Sequence, residues 1–337
     1  MKINFFKEDT LNWLMEYENP SVRYFTLRDL LDKPADDPDV LKTKTFIMLR
    51  GPVARILSKQ TRDGFWKKRE DFYLKSKYKG TAWQIAILAE LGASGKDDGI
   101  KQACEFILKH SQDTRSGGFA IQSSMYGGGD HTKIIPCLTA NMVWSLIRFG
   151  YLHDPRVRKA ISWLCRYQRF DDGETKPNGE WPYRGFEQCW GKHTCFFSVI
   201  KTLRAFAEIP EQERTDEVIA IIKTSAEYML AHHIYKQSHN LSEVSKPLFL
   251  KFSFPLIWHS DALEVMDLLT KLGYKDDRMI EALELILSKQ GDSGRWNLEN
   301  TFNGRMLVNI ERLKRPSKWI TLSALRVLKR YYSSTID

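Results

Sequence analysis

The sequence predicts an all-α chain of helical hairpins closed into a ring, (α/α)6, and three observations carry that expectation. A short motif of Gln, then Gly, then an aromatic residue recurs four times. Two kinds of helical pattern alternate along the chain, one with a single apolar stripe and one apolar nearly all round. The segment Pro316-Ser-Lys-Trp-Ile-Thr-Leu322 echoes Pro20-Ser-Val-Arg-Tyr-Phe-Thr-Leu27, as it would if the first and last units meet.

The motif copies are Gln60-Thr-Arg-Asp-Gly-Phe-Trp66, Gln112-Asp-Thr-Arg-Ser-Gly-Gly-Phe119, Gln168-Arg-Phe-Asp-Asp-Gly173 with Trp181 further on, and Gln290-Gly-Asp-Ser-Gly-Arg-Trp296. Their glutamines stand 52, 56 and 122 residues apart, close to one or two periods of a stacked supersecondary unit. Glycine supplies the positive φ that turns the chain after a helix. Asp caps the turn, the aromatic wedges against the next unit, and the glutamine amide satisfies backbone groups orphaned at helix ends. All of this is mechanical, so the copies are expected to be clasps between units with no part in chemistry.

Repeated Gln-x-x-x-Gly-x-Trp motifs on a helical repeat resemble the terpenoid cyclase and protein prenyltransferase superfamily, with its squalene cyclase-like, prenyltransferase and squalene oxidase repeats. The resemblance spans nearly the whole chain and implies an α/α toroid with QW-type motifs. Activity is a separate matter, because function lives in a site grafted on a fold.

Length and composition fit a single toroid domain over residues 1–337. Apolar residues make up 42% of the chain, ample for a large core. The opening Met1-Lys-Ile-Asn-Phe-Phe-Lys-Glu-Asp9 is too short and too charged for a signal peptide. No stretch reaches the ~20 apolar residues of a membrane span. Five cysteines point to reduced thiols and a cytoplasmic protein. The net charge of +9 is scattered over helix faces apart from Lys67-Lys68-Arg69, which argues for a solvated surface and against nucleic acid.

In chain order, a helix near residues 8–17 is expected to be outer. Asn19-Pro20 starts the run Val22 to Leu31. Further runs fall near 40–59, 80–91, 97–110, 138–149, 155–167, 194–208, 216–231, 259–272, 276–289 and 318–331. Single stripes such as Val157, Ala160, Ile161, Leu164 and Cys165 mark outer helices with one buried face. Runs such as Ala82 to Leu91, Ala140 to Tyr151 and Thr194 to Ala207 are apolar all round and mark inner helices. Six of each complete the ring.

Parallel inner helices would gather their N-termini at one mouth, where dipole ends and free amides favour anions. The residues at those starts are Lys79, Cys137, His193, Cys195, His259, Asp261 and Lys318. Cys104 and Cys165 share one slot of the outer stripe and read as packing. Cys137, Cys189 and Cys195 instead lie at or just before inner helices. Cys189-Trp-Gly-Lys-His-Thr-Cys195 places three soft or borderline ligands in seven residues, the donor types tetrahedral zinc prefers.

His193-Thr-Cys195 is similar to the Asp-x-Cys pair that holds zinc in prenyltransferase β subunits, with His in place of Asp. Trp258-His259-Ser260 resembles the later His segment in placement. The resemblance thus implies zinc on Cys195, His193 and His259, with Cys137, Cys189 or Asp261 as a fourth ligand. A metal-free polar pocket is the alternative reading of the same residues.

Neither Asp-x-Asp-Asp nor Asp-Asp-x-x-Asp occurs, which disfavours acid-initiated or ionising cyclisation. Trp83, Trp144, Phe196, Phe197, Trp258 and Trp319 are expected in the ring, where they fill it or hold an apolar ligand. The leading function is a prenyltransferase- or cyclase-like protein binding a hydrophobic, isoprenoid-type ligand in a central cavity. Lys79, Lys192 and Lys318 are then the candidate diphosphate contacts. The alternatives are a non-catalytic binding or scaffold toroid, and a carbohydrate-active toroid using carboxylates such as Asp130, Glu187 and Asp261. Prenyltransferase β subunits work with an α partner, and a single chain does not disclose whether this one does.

Overall fold

The computed structural model describes residues 7–177, 179–184 and 186–333. The outer-type helices are α1 (Glu8–Leu14), α3 (Pro38–Leu49), α4 (Gly51–Leu57), α6 (Asp98–His110), α8 (Pro155–Tyr167), α11 (Asp216–Ala231) and α13 (Ile280–Ser288). The inner-type helices are α2 (Pro20–Phe25, widening into a π turn over Thr26–Leu30), α5 (Thr81–Glu90), α7 (Pro136–Arg148), α10 (Phe196–Phe206), α12 (Ala262–Lys271) and α14 (Lys318–Ser333). A short helix α9 (Glu187–Trp190) and a hairpin of β1 (Lys236–Gln237) with β2 (Asn240–Val244) complete the described elements. The expected run 40–59 is two helices, because Gly51 (φ +71°) and Pro52 break it.

Inner helices contact one another in chain order from α5 to α14, and α14 returns to α2. Phe25 and Trp319 meet at 5.9 Å between ring centroids, and Arg326 pairs with Asp29. The first and last inner helices therefore touch, as the echoed segments suggest. Buried apolar side chains form one connected core from Leu14 to Leu328. No described helix is long and apolar enough to cross a membrane.

Outer helices begin on side-chain caps, with Asp37, Asp97, Asp154 and Thr215 accepting from amides of the first turn. Several inner helices are instead tied down by the motifs. The amides of Trp66, Phe119 and Trp296 donate to Thr81, Thr139 and Thr321 at the start of the next inner helix, at 3.1, 2.9 and 3.0 Å. Gln60 and Gln112 donate onward to Gly99 and Arg156 carbonyls of the next outer helix, at 2.8 and 2.7 Å. Gly64 and Gly117 have positive φ, and a Cβ on either would lie within 2.7 Å of α6 or α8 side chains. The fourth copy reaches back to the beginning of the chain: Thr10 donates to the Ser293 carbonyl at 3.0 Å, and Lys7 to that of Asp292.

The centre of the ring is filled by ions. Lys201, wholly buried on α10, binds Glu264 of α12 at 2.8 Å and the Leu256 carbonyl at 3.1 Å. Burial pushes its ammonium down in pKa, with Glu264 opposing. Arg204 bridges Glu264 at 3.4 Å and Glu90. Among the described residues, cavities open at both ends of the inner helices. Arg148, Arg204, Lys271, Arg326 and Arg330, near the C-terminal ends of inner helices, line a cavity of about 330 Å³ with Trp144 and Trp319. Cations there complement the negative end of each helix dipole.

Candidate functional site

The opposite opening, at the inner-helix N-termini, holds a cavity of about 870 Å³. Trp83 comes from the start of α5, Cys137 from α7, Cys195 to Phe197 from α10, and Trp258 from the approach to α12. Tyr73 stacks on Trp83 with centroids 4.6 Å apart, and the Trp83 indole donates to the Tyr73 carbonyl at 2.7 Å. Phe197 meets Trp258 edge to face at 5.7 Å. This forms an aromatic wall. Lys77 lies over Trp258 at 4.9 Å and Lys246 over Phe197 at 5.8 Å, with Lys192 on the same rim.

Three thiols line the cavity, Cys137, Cys189 and Cys195. The Cys137 thiol hydrogen-bonds Cys189, which pulls Cys189 down in pKa and holds Cys137 well up. Burial raises Cys195. All five cysteines are free, and Cys104 is buried in the outer-helix core as expected.

The polar side is organised by Asp172. Its Oδ1 lies 3.4 Å from His232 Nε2 and 3.6 Å from His193 Nδ1. Its Oδ2 lies 3.7 Å from His239 Nε2 and accepts from the Ser238 hydroxyl. The His239 Nε2–H donates to the Asp172 carbonyl at 2.7 Å. The His232 Nδ1–H donates to the Tyr228 carbonyl at 2.7 Å. Asp172 titrates below its ordinary value: burial opposes this, and Ser238 and the imidazoles outweigh it.

Asp172, His232 and His239 are absent from the sequence-derived candidates, and the third motif copy explains why. In the first and fourth copies the Trp follows the Gly by two residues, whereas here Trp181 follows Gly173 by eight. Gln168 does not reach the next outer helix. Its carbonyl oxygen accepts from Thr202, and its amide donates to Arg169 and Ser198. Gly173 lies against the His193 ring, 2.5 Å from where a Cβ would meet Cε1. The third copy thus departs from the clasp geometry of the first two, and its irregular spacing marks that departure in the sequence.

The remaining expected site residues separate. Trp83, Phe197, Trp258, Lys192, His193, Cys137, Cys189 and Cys195 share the cavity, whereas Lys79 and His259 are not in its lining. Lys318 is committed to Glu16 and the Trp13 carbonyl, both at 2.6 Å, which corrects its role as an anion contact. Trp144 and Trp319 line the other opening. Asp130 caps the short turn His131–Lys133, and Asp261 caps α12 in the interior, so these two carboxylates do not face one another across the cavity. The side chain of Glu187 lies outside the described residues.

His259 is fully buried, accepts from Asn300 Nδ2 at 3.2 Å and abuts Phe302. Burial, then Lys201, pushes its imidazole down to about 3. Among the described residues no three His, Cys, Asp or Glu side chains are grouped as a metal ion requires. The structure leaves His259 outside the cavity lining that holds His193, Cys137, Cys189 and Cys195.

Burial raises Asp261 to about 7. An unfolded Asp titrates near ~3.9, so its stabilising contribution is full below about pH 4 and is lost as pH rises through the folded value. The stability of the wild type minus that of Asp261→Asn, from urea midpoints, should fall across this window. A pH-independent difference would count against the burial argument.

No protein-family model matches the chain. No curated protein matches it. Among solved structures, a sugar epimerase from a ruminal bacterium is 15% identical, covering 88% of this chain and 82% of its own with a TM-score of 0.48. The GH76 α-mannanase of Bacteroides thetaiotaomicron is 11% identical over 76% of this chain and 69% of its own, with a TM-score of 0.41. A type II terpene cyclase MstE from Scytonema, in complex with geranylgeranyl dihydroxybenzoate, is 13% identical over 98% of this chain and 99% of its own, with a TM-score of 0.34. All are of the α/α toroid kind. Their activities differ from one another, and none is carried to this chain by the likeness.

Proposed function

We propose that the chain forms an (α/α)6 toroid whose mouth, at the inner-helix N-termini, binds a small molecule with an apolar, isoprenoid-like body and an anionic head. The observation that carries this reading is the pairing of an aromatic wall with unneutralised cations. Among the described residues, Lys77, Lys192 and Lys246 have no carboxylate within ion-pair reach, while Arg148, Arg204, Lys271, Arg326 and Arg330 at the other opening are each paired. An anion arriving at the mouth meets cations that need not give up a protein partner. The cavity falls within the ~300–1,000 Å³ typical of small-molecule sites.

Calorimetry with farnesyl diphosphate, farnesol and inorganic pyrophosphate tests the two halves of the ligand separately. Farnesyl diphosphate should bind tightest. Lys192→Ala/Lys246→Ala should weaken it about 100-fold or more, since hydrogen bonds to charged groups contribute about 1.5–3 kcal/mol each. Trp258→Ala should weaken farnesyl diphosphate and leave pyrophosphate unchanged. Binding of none of the three, or equal binding by the double variant, would sink the reading.

A further inference from the structure

Independently of what the cavity holds, we propose that the face around the mouth is a docking surface for an anionic lipid layer. Its cations meet the lipid headgroups, and its apolar loop tips enter between them.

Charge that is scattered along the sequence is sorted by the fold. Residues 15–19, 58–80, 111–135, 168–195, 232–261 and 289–317 each lead from an outer helix to the N-terminus of an inner one, so they lie on the face of the mouth. Together they hold 23 Lys or Arg against 17 Asp or Glu, a net +6. The returns at the other end, 31–37, 91–97, 149–154, 207–215 and 272–279, hold 5 against 10, a net −5. A molecule whose two ends differ in sign approaches an anionic surface mouth first.

Exposed apolar side chains follow the same partition. Eleven large ones are exposed among the described residues, and six of these stand on the mouth-side connections: Tyr17, Leu74, Met125, Tyr126, Leu241 and Leu313. Leu31 alone stands on the returns, and the other four are on outer helices. Met125 and Tyr126, 88% and 92% exposed, occupy the tip of a turn closed by a bridge between Ser123 and Gly129. Side chains held so far into water add nothing to the core.

The apolar tips come with cations. Leu74 is followed by Lys75 and Lys77, and Leu313 stands between Arg312 and Lys314. Among the described residues none of these four cations has a carboxylate within ion-pair reach. The two loops adjoin, because Tyr78 stacks on Phe302 at 4.2 Å between centroids and Arg305 lies over Tyr78 at 4.6 Å. The Trp181 indole donates to the His131 carbonyl at 2.7 Å and joins the connection carrying Met125 and Tyr126 to the next one.

The tips decide between a membrane and other polyanions. A nucleic acid would engage the cations and leave Leu74, Met125 and Leu313 in water. The boundary between headgroups and acyl chains takes both kinds of group at once. The mouth cavity opens on the same face, so an amphiphile held in the layer reaches it without crossing water.

The test is co-sedimentation of the full-length protein with vesicles of phosphatidylcholine, alone or in equal mixture with phosphatidylserine. Binding is expected to the mixed vesicles and to weaken as salt rises. Lys75→Ala/Arg312→Ala/Lys314→Ala should weaken it about 100-fold, since each basic residue at an anionic leaflet contributes about fivefold. Met125→Ser/Tyr126→Ser should weaken it about tenfold and keep the salt dependence. All five side chains are exposed, so both variants should retain the wild-type Tm.

Failure to bind mixed vesicles, or equal binding by the triple variant, overturns the proposal. Unchanged affinity in the Met125/Tyr126 variant does so too, and marks instead a surface for a nucleic acid or an acidic protein. None of the five residues lines the cavity, so calorimetry with farnesyl diphosphate keeps the two readings apart. Vesicle binding without that ligand removes only the ligand site, and ligand binding without vesicles removes only the docking surface.

Discussion

Truncating Trp296 to alanine is expected to destabilise the protein by about 3–5 kcal/mol, the range for losing a fully buried large aromatic. Trp296 has no exposed surface. Its indole donates to the Ile286 carbonyl at 2.7 Å, and its amide takes the Thr321 hydroxyl at 3.0 Å. The side chain therefore ties the end of α13 to the start of α14. The adjoining turn carries Asp292 and Ser293, whose carbonyls accept from Lys7 and Thr10 of the first unit. Loss at this position loosens the join between chain ends as well as one hairpin. Trp296→Phe should recover most of the stability and lack only the indole hydrogen bond, about 1 kcal/mol. Urea denaturation followed by far-ultraviolet circular dichroism measures both, and a loss below about 1 kcal/mol for the alanine variant would contradict the clasp.

Glu264→Leu should cost a similar amount, about 3–5 kcal/mol, because it strands a buried charge. Lys201 has no exposed side-chain surface, and Glu264 is its only carboxylate within ion-pair reach among the described residues. Arg204 also loses a partner but keeps Glu90. The double variant Lys201→Met/Glu264→Leu removes both charges, and it should be much less destabilised than the sum of the two single variants. A double-mutant cycle by urea denaturation reads the coupling directly. Additive losses would mean that the pair is solvated and that the ring centre is wetter than its geometry indicates.

The filled centre also changes what kind of ligand site the ring offers. An isoprenoid lying along the axis would have to displace Lys201, Glu264 and Arg204, at the cost of breaking buried ion pairs. The mouth cavity needs no such rearrangement. Its aromatic wall faces solvent-accessible lysines and imidazoles, so an apolar body and a charged end can be met at once.

By itself the sequence determined the two helix types, the clasps at the first, second and fourth motif copies, and the meeting of α2 with α14. These are legible because they rest on local periods: a 3.6-residue stripe reports how many faces a helix buries, and a Gly-aromatic turn reports where a unit ends. Eight of the residues it singled out share one cavity at the inner-helix N-termini. Tertiary structure alone decided which neighbours share a cavity. Trp258 lines it while the adjacent His259 is buried against Phe302, a difference of direction that no spacing encodes. Asp172 meets Ser238 and His239 from 66 and 67 residues away because an irregular motif and a small β-hairpin happen to converge. Loop paths of that kind are set by long-range packing, and one-dimensional periodicity carries no record of them.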